Sequence, residues 1–129
     1  MENIVSIDLS HLNTSSVKNM ASMFYGCHSL KSIDLYDTDT SSVEDMNNMF
    51  KDCSSLEILD LSFFDTSLVT NMDSMFNGCQ SLIYLDIYHF NLEKISKFNS
   101  VFTGADNLLY VNLYRVKNSY DNITNSELN

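Results

Sequence analysis

Apolar residues along this chain recur with a strict period of 26 and no insertion. Ile4, Leu30, Leu56, Leu82 and Leu108 form one column. Ile7, Ile33, Leu59, Leu85 and Val111 form a second, and Leu9, Leu35, Leu61, Ile87 and Leu113 a third. Val17, Val43, Val69 and Ile95 continue the pattern, followed by Met20, Met46, Met72 and Phe98, and by Phe24, Phe50, Phe76 and Phe102. Cys27, Cys53 and Cys79 keep the same phase, with Ala105 in the next slot. Columns held in phase over four to five copies mark a repeat array, in which each unit buries its apolar side only against its neighbours.

One copy shows what a unit contains. In Leu56-Glu57-Ile58-Leu59-Asp60-Leu61 the apolar residues at the fourth and sixth places, Leu59 and Leu61, alternate with others, the spacing of a short strand. Val69, Met72, Met75 and Phe76 then recur at three-to-four spacing, which predicts one face of a helix of two to three turns. A Ser or Thr precedes that face as a cap, and Ser41 with Glu44 reads as a capping box. Gly26, Gly78 and Gly104 follow the Phe column, with Asp52 in the same slot of the remaining copy, where a left-handed C-terminal cap fits. The expected fold is therefore α/β. About five short parallel strands line the concave side of a solenoid, and right-handed crossovers place short helices on its convex side. The units run over about 4–29, 30–55, 56–81, 82–107 and 108–118, so the solenoid covers 1–118 and a polar tail covers 119–129.

Leu56-x-x-Leu59-x-Leu61 resembles the strand signature of leucine-rich repeats, and Cys-x-x-Leu-x-x-[Ile/Leu]-x-Leu recurs from Cys27, Cys53 and Cys79. The stretch 59–79, from Leu-Asp-Leu-Ser-Phe-Phe to Met-Phe-Asn-Gly-Cys, is similar to the 26-residue repeat of the BspA-like bacterial surface proteins. That group was once described as a mycoplasma domain of unknown function. The likeness covers about residues 4–117. It implies a leucine-rich-repeat fold and a role in surface adhesion or protein interaction, with no active site carried by the repeat. The asparagine usual in leucine-rich repeats is replaced by Leu12, Thr38, Phe64, Phe90 and Val116, so no asparagine ladder is expected.

Charge narrows the partners. The 129 residues carry 17 acids against 7 Lys and Arg, a net charge of −10, which repels naked nucleic acid and anionic lipid. No apolar run is long enough to span a membrane, so neither nucleic acid nor membrane is an expected direct partner. No secretion signal is legible, and a cytoplasmic location is expected, or the cell surface if the chain is a fragment of a longer surface protein. The second unit concentrates acid, in a patch of Asp34, Asp37, Asp39, Glu44 and Asp45.

Reactive chemistry is not expected. The three cysteines are single and 26 apart, unlike the paired ligands of zinc sites, and read as buried free thiols in a reducing compartment. His11, His28 and His89 occupy different slots, and Cys27 and His28 point in different directions. Asp37-Thr38-Asp39 lacks the glycine and terminal glutamate of a calcium loop. No catalytic, cofactor-binding or metal residue is assigned, and no enzyme is expected.

Strand alternation aims three columns at the concave face. They are Ser6, Ser32, Ile58, Tyr84 and Tyr110; Asp8, Asp34, Asp60, Asp86 and Asn112; and Ser10, Tyr36, Ser62, Tyr88 and Tyr114. The aspartates either satisfy turns or form a binding strip. The leading expectation is a non-catalytic module that grips a basic protein with Tyr36, Asp60, Tyr84, Asp86, Tyr88, Tyr110 and Tyr114, because tyrosine offers large contact area with few rotors. Two alternatives stay open. One is an acidic inhibitor, phage-encoded ones included, that mimics phosphate charge in the nucleic-acid channel of a defence enzyme. The other is an adhesin fragment. Uncapped terminal strands further predict self-association into a homo-oligomer.

Overall fold

The computed structural model describes residues 4–9 and 11–113. Ser10, Tyr114, Val116 and the tail 119–129 lie outside the described residues, as does the boundary at 118. Five three-residue strands occur: β1 (Ser6–Asp8), β2 (Ser32–Asp34), β3 (Ile58–Asp60), β4 (Tyr84–Asp86) and β5 (Tyr110–Asn112). All pairings are parallel and advance by one unit, as in Ile58 with Tyr84 and Tyr84 with Tyr110. The strands make two small sheets, β1-β2 and β3-β4-β5, rather than the single sheet expected. β2 and β3 are not paired with each other. Tyr36 meets Phe63 edge-on at 4.5 Å, where the following unit has only Ser62 in the tyrosine's slot. The bond from Glu57 N–H to the Lys31 carbonyl is stretched there to 3.4 Å, against 2.9 Å for its counterpart from Ile83 to Glu57.

The expected helices are absent. No helix occurs among the described residues, so the α/β assignment with convex helices is corrected to small parallel β-sheets joined by turns. The cause lies in the middle of each would-be helix. Ser22, Asn48, Ser74 and Ser100 adopt φ values of 53° to 58°, a left-handed conformation that no right-handed helix contains. A second left-handed position follows at Gly26, Asp52, Gly78 and Gly104, as the glycine column suggested. The capping box does not form either: Ser41 bonds to Asp39, and Glu44 pairs with Lys18 of the preceding unit at 3.3 Å.

The amides in these segments divide by turns. Met20, Ser22, Phe24 and Gly26 donate to the carbonyls of Asp45, Asn47, Met49 and Lys51 in the next unit at 2.8 to 2.9 Å. The intervening Met23, Tyr25 and Cys27 instead donate to the carbonyls three residues back. The same division repeats from Met46 to Cys53 and from Met72 to Cys79. Each unit is thus tied to the next by a second ladder, across the molecule from the strands.

Between the two ladders lies the core. Leu56, Leu59, Leu61, Val69, Met72, Met75 and Phe76 are all buried in one unit, together with Cys79. The Phe column stacks: ring centroids from Phe24 to Phe50, Phe50 to Phe76 and Phe76 to Phe102 are 5.2, 6.0 and 5.6 Å apart, with interplanar angles under 20°. Threonines bridge consecutive units. Buried Thr14, Thr40 and Thr66 donate their hydroxyls to the carbonyls of Asp39, Asp65 and Asn91 at 2.9 to 3.0 Å. Thr40 and Thr66 also accept the amide N–H of the same Asp65 and Asn91. Among the described residues no buried side-chain nitrogen or oxygen lacks a partner.

Candidate functional site

The strand face is where side chains that the fold does not use are exposed. In each strand the middle residue turns inward and its neighbours turn out, the period-two alternation of a pleat. Ile58, Tyr84 and Tyr110 therefore stand side by side on adjacent strands, all exposed, Tyr110 at 66 %. The Tyr84 hydroxyl donates to Asp86 Oδ2 at 3.2 Å. Partial desolvation, then this carboxylate partner, raise the Tyr84 phenol above its ordinary value. Tyr36 is 64 % exposed and packs on Phe63, also exposed. Tyr88 is half-buried and lies edge-on to His89 at 4.6 Å. The structure thus brings Tyr84, Asp86, Tyr88 and Tyr110 onto one stretch and places Tyr36 one junction away.

The aspartates of this face make turns. Oδ1 of Asp34, Asp60 and Asp86 accepts the amide N–H two residues on, from Tyr36, Ser62 and Tyr88, at 2.9 to 3.0 Å. This bond is an Asx-turn, in which a short carboxylate or amide mimics a backbone carbonyl. Two more such columns exist. Asn13, Asp39, Asp65 and Asn91 hold the second turn, and Asn19, Asp45 and Asn71 the third. Much of the chain's acidity is therefore turn chemistry, in columns where Asn and Asp alternate freely. What remains for binding is the other oxygen. Asp86 Oδ2 is already engaged by Tyr84 and by Asn112 Nδ2 at 2.9 Å. Among the described residues Asp34 and Asp60 keep Oδ2 without a hydrogen-bond partner.

The acidic patch of the second unit is spread over these turns. Asp34 serves the first and Asp39 the second, where two hydrogen bonds from Ser41, hydroxyl first, hold its carboxyl below the ordinary value. Glu44 faces Lys18, and half-buried Asp45 binds Asn47 and Asn71 on the second ladder. Asp37 is exposed.

A small cleft of about 60 Å³ opens at the β2–β3 junction, lined by Ile33, Asp34, Leu35, Tyr36, Asp60 and Phe63. Both carboxylates with an uncommitted oxygen and the aromatic pair meet there. Phe63 was not a candidate from sequence, because its slot holds Asp37 and His89 in the neighbouring units and so forms no column.

A family described as "Mycoplasma protein of unknown function, DUF285" matches residues 1–114. The chain belongs to this family. No curated protein and no solved structure matches it. The family's description names no function, and the chemistry is read from the residues.

In this DUF285 chain the thiols are buried and free. Cys53 and Cys79 Sγ each lie 3.1 Å from the carbonyl of Phe24 or Phe50. Burial pushes all three thiols up, Cys79 to about 12 and Cys53 higher, so none is a nucleophile near neutral pH. Among the described residues no three His, Cys, Asp or Glu side chains are grouped to hold a metal ion. No helix among them is long and apolar enough to cross a membrane.

Proposed function

We propose that this DUF285 protein is a non-catalytic module that binds a basic protein through its strand face. The observation that carries the reading is the adjacency of exposed Ile58, Tyr84 and Tyr110 on consecutive parallel strands. No internal contact requires aromatic rings there, since Ser6 and Ser32 occupy the same column in the first two units. Large rigid aromatics flanked by carboxylates suit a partner that presents apolar and cationic groups together. The net charge of −10 draws such a partner in at long range. In this reading the two ladders wind the units into a solenoid and make the strand side its hollow. That arrangement supports kinship with the BspA-like surface proteins, whose repeats serve interaction.

The test uses the full chain as bait, with the captured partner identified by mass spectrometry and then purified. Tyr84→Ala with Tyr110→Ala should weaken binding at least about a hundredfold, as loss of two interface anchors does. The melting temperature should barely move, because both rings are exposed. Undiminished affinity in the double variant removes the strand face as the binding surface. Displacement of the partner by DNA or RNA would favour the phosphate-mimic inhibitor instead.

A further inference from the structure

The cleft between β2 and β3 differs from every other junction on the strand face. Its two sides belong to different sheets, so the strands do not close it. Asp34 and Asp60 each have one oxygen fixed by a turn amide, at 3.0 and 2.9 Å, which aims the carboxylate while leaving Oδ2 uncommitted. At the next position Asp86 has both oxygens engaged. The wall is an edge-to-face pair, Tyr36 on Phe63, 64 % and 56 % exposed.

We infer that this cleft receives the side chain of one arginine from the protein partner. The inference rests on the protein-binding reading of the strand face and specifies its chemistry. A guanidinium is planar, so it can lie against an aromatic ring while its N–H groups reach carboxylates on either side. Two preset acceptors in a cleft that also holds an aromatic pair match that fork better than the compact, strongly hydrated ammonium of lysine. Charge complementarity is strong, since two carboxylates meet one cation in a region with no cation among its lining residues.

The probe is N-acetyl-arginine amide, titrated into the ¹⁵N-labelled full chain and followed by amide chemical shifts. The amides of Tyr36 and Ser62, which donate to Asp34 and Asp60, should move saturably. N-acetyl-lysine amide should bind several-fold more weakly. Asp34→Asn with Asp60→Asn should weaken arginine binding by about tenfold. Those changes keep the turns, because Asn13 and Asn91 already make the same bond elsewhere in the chain. Shifts that do not saturate, that lysine reproduces equally, or that persist in the double variant overturn the inference. Should arginine fail while partner binding still depends on Tyr84 and Tyr110, the cleft assignment falls and the strand-face reading stands. If arginine saturates the cleft while partner binding ignores those tyrosines, the strand-face reading falls instead.

Discussion

The two ladders respond differently to the same junction. On the strand side, pairing stops between β2 and β3. On the opposite side the ladder crosses the corresponding step intact, with Met46, Asn48, Phe50 and Asp52 donating to the following unit at 2.7 to 3.0 Å. The side chains differ in parallel. On the second ladder Met46, Met49, Phe50, Cys53, Met72, Met75, Phe76 and Cys79 are almost fully buried, whereas the outward strand column changes from Ser to Ile to Tyr and stays exposed. Burial is concentrated where the columns stay apolar. The strand face is left free to diverge, and recognition can be written there.

The largest effect should come from the second ladder. Phe50→Ala removes a fully buried ring stacked between Phe24 and Phe76 and should cost about 3–5 kcal/mol, measured by urea unfolding. A loss comparable to that of Tyr84→Ala would erase the contrast between the two sides. Next comes the threonine bridge. Thr66→Val keeps the shape but strands the Asn91 amide and carbonyl, and should cost about 1–3 kcal/mol in the same assay.

The thiols sharpen the comparison through pH. Their folded pKa values lie above the ordinary 9.0, so the folded state holds protons that the unfolded chain releases. The stability they contribute is complete below pH 9.0 and declines as pH rises toward the folded values, about 12 for Cys79. Each such thiol steepens the decline by about 1.4 kcal/mol per pH unit within that window. Denaturant melts from pH 8 to 11 check this, and Cys79→Ala should flatten the slope above pH 9.0. A slope unchanged in that variant would place the alkaline sensitivity elsewhere.

Much of this was legible in the sequence and some was not, for physical reasons. The columns at Leu56, Leu59 and Leu61 announced both the strand and its inward face, and the parallel register followed from the fixed period. Val69, Met72, Met75 and Phe76 misled, because a chain of tight turns that buries every third or fourth residue leaves the same trace as a helix. The discriminating signal was present at Ser22, Asn48, Ser74 and Ser100, residues that tolerate turns better than helix interiors. Thr14, Thr40 and Thr66 also recur at the period, yet a threonine before an apolar run reads equally as a cap. At the site, the tyrosines were visible because they break the column. The spare oxygens of Asp34 and Asp60 were not, since which oxygen a turn consumes depends on the fold.

The alternation of amides along the second ladder has a consequence for the gene. Adding or deleting one codon between Met20 and Cys27 would shift the rest of that segment by one position, so that amides that cross-link to the neighbouring unit fall in slots that close turns, and the reverse. A change of one whole repeat, 78 nucleotides, keeps the two classes in phase, in agreement with the gapless spacing of 26.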